Sequence, residues 1–194
     1  MKRWLALLLL PLLASCGYNT IQRLDEQANS AQGQIEVQLQ RRADLIPNLV
    51  NTVKGYATHE EQTLKEVTEA RAGLVNAIQS KDPTAMANAD AQLTGALGRL
   101  MVTVEAYPNL KADQSFIRLQ DELTGTENRI AVSRNDYNQA VNQYNAYIRQ
   151  FPAVLTAKVT GAKERKYFTA NANAQQGPPT VDFSKPAATP PAKP

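Results

Sequence analysis

The chain has very little of the side-chain chemistry that enzymes and metal sites usually need. Its 194 residues include one cysteine, Cys16, and one histidine, His59. A zinc-protease helix needs two histidines four residues apart, and a di-iron bundle needs Glu-x-x-His on two helices, so neither class fits. The sequence also has no cysteine pair, no glycine-rich phosphate loop and no Gly-x-Ser-x-Gly turn. We therefore predict no enzyme activity, no catalytic residues, no metal and no cofactor, and we interpret His59 as an exposed residue at a helix start.

Neither sign of charge dominates. The full chain carries a net charge of +3, and without Lys2 and Arg3 it has 19 basic against 18 acidic residues. A nucleic-acid binder needs a dense basic face, so we predict no nucleic-acid partner. Aromatic residues make up only 6% of the chain, and alanine, glutamine, leucine and glutamate are frequent, which favours helices.

The one long apolar run lies at the N-terminus. Two basic residues precede an apolar stretch over 4–13, and small residues then lead into Cys16. This pattern is typical of a secretory signal, and Leu-Ala-Ser-Cys is similar to a bacterial lipobox, in which the cysteine becomes acylated after cleavage. The run is about half of the ~20 residues that span a bilayer, so a permanent signal anchor is the weaker alternative. We predict a signal peptide over 1–15 and a lipid anchor with a short tether over 16–20.

Apolar residues at helical spacing predict four helices in the rest of the chain. The predicted spans are 18–57, 58–79, 83–106 and 109–150. Pro47 lies inside the first span and predicts either a kink or a break with Asp44 as a new cap. Thr58 to Glu61 forms a candidate capping box for the second helix, and Asp82 a candidate N-cap for the third.

The fourth predicted helix carries the clearest pattern. Six apolar residues follow one another at intervals of seven, and this repeat favours a left-handed bundle. They are Phe116, Leu123, Ile130, Tyr137, Tyr144 and Phe151. Short connections force neighbouring helices to run antiparallel. We therefore predict an all-α fold, an antiparallel up-down four-helix bundle over 21–157 with long first and fourth helices. Because the middle helices are shorter, part of the long pair should project as a two-helix extension that a partner could bind.

Asparagine is unusually frequent on this helix although it is a poor helix former. Asn128, Asn135 and Asn142 are seven apart, and two Tyr-Asn pairs follow the same spacing. One interpretation is that some asparagines are buried and set the helix register through hydrogen bonds. The other is a partner surface for a peptide or glycan. That candidate surface comprises Tyr137, Asn138, Tyr144 and Asn145.

The end of the chain changes in composition. A basic segment over 158–170 contains a candidate basic patch, which either contacts anionic lipid or wall polymer or is simply a solvated turn. The patch comprises Lys158, Lys163, Arg165 and Lys166. Six of the 11 prolines lie in the last 24 residues, 171–194, where we predict a disordered Pro/Ala-rich tail.

Three separated motifs resemble the LemA family. The first begins at Arg41 and reads Arg-Arg-Ala-Asp-Leu-Ile-Pro-Asn-Leu-Val, the second begins at Tyr107 with Tyr-Pro-Asn-Leu-Lys-Ala, and the third begins at Arg134 with Arg-Asn-Asp-Tyr-Asn. The resemblance implies a helical bundle carried by an N-terminal membrane segment in the bacterial envelope, and it supplies no catalytic residues. Many members carry a longer transmembrane helix, whereas this chain carries a lipobox, and Gly17 after the cysteine favours the outer membrane.

The sequence therefore favours a lipid-anchored envelope protein whose bundle lies outside the cytoplasm and scaffolds or binds a protein partner. An accessory of a membrane protease or transport system would differ only in the identity of that partner. The rival hypothesis is a glycan-binding module or wall-modifying enzyme that uses Tyr137, Tyr144 and the neighbouring asparagines.

Overall fold

The computed structural model describes residues 2–57 and 59–170, with side chains from Gly17 onward, and every regular element in these ranges is a helix. The helices are α1 (Lys2–Lys54), α2 (Glu61–Ser80), α3 (Pro83–Val104), α4 (Pro108–Lys111), α5 (Gln114–Arg149) and α6 (Ala153–Thr160). The predicted all-α class is confirmed. Within the described ranges, no helix combines the length and the apolar character needed to cross a bilayer. The side chain of Cys16 and the predicted tail over 171–194 lie outside the described part.

The long helices form antiparallel pairs. α1 packs along α5, so that Tyr56 near the end of α1 donates a hydrogen bond to Asp113 at the start of α5 over 2.9 Å. α2 packs against α3 and is also antiparallel to it, since Glu66 near the start of α2 pairs with Arg99 near the end of α3 at 2.9 Å. α1 also packs against α2, and the side chain of Gln32 donates to the carbonyl of Lys81 just beyond the end of α2.

Pro47 neither ends nor interrupts α1, so the predicted break at Asp44 is wrong. Proline has no N–H, which leaves the carbonyl of residue 43 without its usual helical donor. Nε of Arg71 in α2 donates to the Ala43 carbonyl over 2.8 Å and takes the place of that donor. Asp44 does not act as a cap, since its carboxylate accepts a hydrogen bond from Gln40 within α1.

Two of the three predicted helix starts need correction. α2 begins at Glu61 with Glu60 in the N-cap position and no capping side chain, so the helix starts later than predicted. Thr58, on which the predicted capping box depends, lies outside the described residues. The cap on α3 is confirmed, because Asp82 accepts from two backbone amides of its first turn. The predicted fourth helix is divided into α4 and α5, because Asp113 caps a new helix by accepting from the amides of residues 115 and 116.

The first five members of the seven-residue stripe are buried as predicted, from Phe116 to Tyr144. The sixth, Phe151, is exposed, because α5 ends at Arg149 and the chain turns into α6. Most buried side chains form one core between α1, α2, α3 and α5. A smaller core lies where α1 and α5 extend beyond the shorter helices.

This smaller core corrects the prediction of an open two-helix extension. It consists of Ile21, Leu24, Tyr144, Ile148 and Ala157, the last of which belongs to α6. The ends of α1 and α5 are therefore covered on one side by α6. The predicted tether over 16–20 is helical as part of α1, and the predicted boundary at 157 falls inside α6.

Candidate functional site

The residues that follow α6 form a strap across α5. We call residues 161–170 the C-terminal strap. It begins at Gly161, whose φ of 73° ends α6 in the left-handed region that favours glycine. From there the chain runs back along α5 without regular structure.

Two asparagines of α5 hold the strap through its backbone. Asn145 accepts from the N–H of Arg165 at 2.8 Å and donates to the carbonyl of the same residue at 2.9 Å. Asn138 makes the same pair of bonds to Phe168, at 2.8 Å and 3.3 Å. Each side-chain amide therefore binds a strap residue in the way that a neighbouring β-strand would.

We call these two pairs of hydrogen bonds, at Asn145 and at Asn138, the clamps. Their spacing follows from chain geometry. Asparagines seven residues apart on an α-helix are separated by about 10.5 Å at 1.5 Å per residue. Three residues of near-extended chain, from 165 to 168, cover about 10 Å. The helix and the strap therefore come into register at both asparagines.

The tyrosines of the candidate partner surface also serve the strap. The hydroxyl of Tyr137 donates to the carbonyl of Lys166 over 2.8 Å, and its ring is buried. The guanidinium of Arg165 lies over the ring of Tyr144 at 5.7 Å from its centroid. Burial raises the pKa of both tyrosines.

Arg165 also ties the strap to α1. Its guanidinium pairs with Asp25 at 2.8 Å and donates to Asn29 at 2.7 Å. Partial burial acts to lower the pKa of Arg165, but the hydrogen bond and charge of Asp25 together with Tyr137 and Tyr144 outweigh it, and the pKa is raised. Lys166 pairs in turn with Asp82, the cap of α3, at 2.7 Å.

The structure therefore brings together all four residues of the candidate partner surface, but under the chain's own strap. An interacting partner could reach them only by displacing the strap. The predicted basic patch is divided: Arg165 and Lys166 are engaged in these ion pairs, while Lys158 and Lys163 are exposed. Their part of the chain is thus neither a uniform basic surface nor a free turn.

Sequence reasoning missed several members of this cluster. Asp25 and Asn29 lie on the polar side of α1, where nothing in the local pattern distinguishes them from solvated residues. Phe168 gave a usable signal, since it is an isolated large apolar residue in a polar segment, and it is buried in the main core. Asn128, Asn135 and Asn142 are exposed, so they do not set the helix register through buried hydrogen bonds.

A second feature lies at the opposite end of the molecule, which we call the distal end. A cleft of about 560 Å³ opens there between α1 and α2. Its floor is apolar, with Val50, Ala57 and Leu64, and its rim carries charges of both signs, including Lys54 and Glu69. Among the residues that the structure describes, no group of three or more His, Cys, Asp or Glu could hold a metal ion.

The LemA family model matches residues 31–183. The chain belongs to the LemA family. The match covers α1 from residue 31 onward, all the later helices and the strap, so the asparagines that bind the strap lie within the family region.

Several LemA relatives are similar to this chain over most of its length. Magnetosome protein MamQ 1 of Paramagnetospirillum magneticum and MamQ of Magnetospirillum gryphiswaldense are each 30% identical over 174 residues, covering 78% of this chain and 64% of the relative. Protein LemA of Metamycoplasma hominis is 26% identical over 133 residues, covering 69% of this chain and 60% of the relative. The chain thus spans somewhat less than two thirds of the length of these relatives.

The regions after the first motif and at the second motif of the LemA resemblance meet at the distal end. Glu60, ten residues after the first motif, accepts a hydrogen bond from the hydroxyl of Tyr107 in the second at 3.0 Å. Tyr56 and Asp113 join the same regions. These contacts fix the loop between α1 and α2 against the loop between α3 and α5.

The LemA motif around Pro47 also places a charge in the core. Arg42 is buried. Its guanidinium pairs with Asp90 of α3 at 2.6 Å and with Glu127 of α5 at 3.8 Å. Burial raises the pKa of Asp90, although Arg42 opposes this effect. A charged pair in such a position costs desolvation, so its contribution is to fix how α1, α3 and α5 meet.

Proposed function

We propose that this LemA protein is a lipid-anchored, non-enzymatic scaffold of the bacterial envelope, attached through Cys16 and holding a protein partner at its distal end. Its body lies outside the cytoplasm, on the periplasmic face of the outer membrane. The long helices form an antiparallel up-down four-helix arrangement, which the short connections and the antiparallel pairs described above support.

The observation that carries this proposal is the absence of a flexible segment between the anchor residue and the folded body, within the part of the chain that the structure describes. α1 is continuous through residue 16, and the first buried side chain among those that the structure describes, Ile21, follows five residues after Cys16. From Gly17 to Lys54 the helix extends about 55 Å at 1.5 Å per residue. A body that is built on such a helix sets a fixed distance between the membrane and the distal cleft.

The alternative is a glycan-binding module or wall-modifying enzyme, and no contact among the described residues favours it. That alternative used Tyr137, Tyr144 and their neighbouring asparagines as an open surface. The two tyrosines are buried, and the asparagines bond to the strap.

The anchor is tested by intact mass and membrane fractionation of the wild type against Cys16→Ala. We expect the wild type to lose residues 1–15, to gain acyl chains and to fractionate with the outer membrane. The variant should lose both the acyl mass and this sorting. A chain that keeps residues 1–15 and stays in the membrane regardless of Cys16 would contradict the lipid anchor and favour a signal anchor.

The scaffold is tested with a photo-crosslinking amino acid at Lys65, on the rim of the distal cleft. A matched control carries the same group at Val132, which is exposed on α5. We expect one defined envelope protein to crosslink from position 65 and not from position 132, and to be lost when Glu69 is changed to Lys. Identical products from both positions would contradict a specific partner at the distal end.

A further inference from the structure

The face of α6 that is exposed to solvent carries larger apolar side chains than the face that is buried. The buried contacts of α6 are made by alanines, Ala153 and Ala157. Two of its three large apolar side chains are mostly exposed, since Leu155 is 56% and Val159 is 89% exposed, while Val154 is half-buried. Phe151 just before the helix is 81% exposed. Leu155 and Val159 are four apart and share one face of α6, and Phe151 is exposed directly before that helix. We call these three residues the α6 stripe.

The position of the stripe indicates what covers it. α6 packs against α1 near Gly17, where an added Cβ would lie 3.3 Å from Oγ1 of Thr156. Gly17 directly follows Cys16. Any membrane anchor at this end of α1, an acyl chain or a signal anchor, therefore holds α6 beside the bilayer surface.

The charges around the stripe match an anionic surface. Lys158 lies on the same exposed side of α6, and Lys163 follows in the strap, also exposed. A basic residue near an anionic bilayer is attracted to it, and apolar side chains of an interfacial helix enter the boundary between headgroups and acyl chains. This combination favours a stripe that is covered by lipid, because an uncovered stripe would leave three large apolar side chains in water.

We propose that the α6 stripe inserts into the boundary between headgroups and acyl chains of an anionic lipid bilayer, in the leaflet that faces the body. With Lys158 and Lys163, it fixes the angle between the body and the membrane. The inference rests on the proposed membrane attachment at the N-terminal end of α1. It adds a second contact with the bilayer, made by side chains that lie far from Cys16 in sequence.

The test uses the full chain in vesicles of phosphatidylethanolamine and phosphatidylglycerol, with and without bromine on the acyl chains. The only tryptophan, Trp4, lies in the segment that the proposed processing removes, and Trp4→Phe also eliminates it from any unprocessed chain. A new tryptophan is introduced by Leu155→Trp or, as the matched control, by Val132→Trp. Both positions are exposed apolar residues, so neither change disturbs a core. We expect brominated lipid to quench the tryptophan at position 155 severalfold more than the one at 132.

Further arms separate the possible occupants of the stripe. Replacement of phosphatidylglycerol by phosphatidylcholine, or the double change Lys158→Glu and Lys163→Glu, should reduce the quenching at position 155.

Equal quenching at positions 155 and 132 in a chain that remains bound through Cys16 would overturn the inference and leave the proposed anchor intact. A blue shift at position 155 that depends on protein concentration in lipid-free detergent would show that a second copy covers the stripe, and would also overturn it. If the Cys16→Ala chain stays bound to the vesicles and its tryptophan at position 155 is still quenched, the lipid anchor is contradicted but the insertion of the stripe is not.

Discussion

At the residue scale, Pro47 and Arg71 depend on each other although they lie on different helices. Pro47 removes the helical donor for the Ala43 carbonyl, and Arg71 supplies a donor at 2.8 Å. A buried carbonyl without a partner costs about 1–3 kcal/mol. The proline is therefore tolerated inside α1 because α2 completes its hydrogen bonding.

This dependence predicts a coupling between the two positions. Arg71→Met should lower the free energy of unfolding by about 1–3 kcal/mol, because the Ala43 carbonyl loses its donor. In a Pro47→Ala background the N–H of the new residue can bond to that carbonyl, so Arg71→Met should cost less. Urea unfolding of the four chains gives the coupling energy directly. Equal costs of Arg71→Met in the two backgrounds would contradict the account.

The same residues show where reasoning from sequence ends at this scale. Local rules correctly state that Pro47 breaks one hydrogen bond, and they therefore allow a break near Asp44. They cannot state that a side chain from the next helix replaces the missing donor, since that depends on packing. Asp113 is the opposite case: an aspartate before an apolar run is a local N-cap signal, and it was available in the sequence.

At the scale of single elements, two long helices begin at aspartates whose charge matters. The hydrogen bond from Lys166 and the first-turn amides lower the pKa of Asp82, and the amide of Phe116 and the hydroxyl of Tyr56 lower that of Asp113. A lowered pKa in the folded state means that the stabilisation is present above the ordinary value of 3.8. It is lost as the pH falls through the lowered value.

We therefore predict that the double change Asp82→Asn and Asp113→Asn flattens the loss of stability in acid. Asparagine caps a helix about as well as aspartate but does not titrate. Urea midpoints measured from neutral pH to about pH 3 should converge for wild type and variant as the aspartates become protonated. Asp90 has a raised pKa and acts in the opposite direction, with stability falling as pH rises, but it is present in both chains and cancels. Parallel curves would refute the role of these caps.

The strap clamp gives a second prediction at this scale. Asn138→Ala and Asn145→Ala each remove two hydrogen bonds, at about 0.5–1.5 kcal/mol per bond. Hydrogen exchange should accelerate at the amides of Arg165 and Phe168, while the helices keep their protection. Asn135→Ala and Asn142→Ala are matched controls, because they lie exposed on the same helix. If all four variants behave alike, the clamp is not what holds the strap.

These asparagines also explain what the seven-residue repeat could and could not predict. The repeat correctly placed Phe116 through Tyr144 in the core, since burial follows from helical periodicity alone. Both sets of asparagines share that spacing, but only Asn138 and Asn145 face the strap. The distinction comes from a segment that is 20 to 30 residues away in sequence, so no local pattern contains it.

At the scale of the whole molecule, the strap joins parts of the chain that are distant in sequence. Arg165 reaches Asp25 on α1, Lys166 reaches Asp82 at the start of α3, and Phe168 enters the main core. The folded body therefore continues past the boundary predicted at 157. Charge and composition suggested that boundary, because a polar segment resembles a linker when its partners are unknown.

The role of the strap in the whole fold is tested by ending the chain at two places. A chain that ends at Ala170 should keep the urea midpoint of the full chain, because it retains every described strap contact. A chain that ends at Glu164 loses both clamps and Phe168, whose side chain is 3% exposed. Burial of a phenylalanine contributes about 1.5–3 kcal/mol, so the shorter chain should be less stable by at least that amount. Phe168→Ala in the longer chain separates the core contact from the clamps, and equal stability of all three chains would mean that the strap lies on a body that is complete without it.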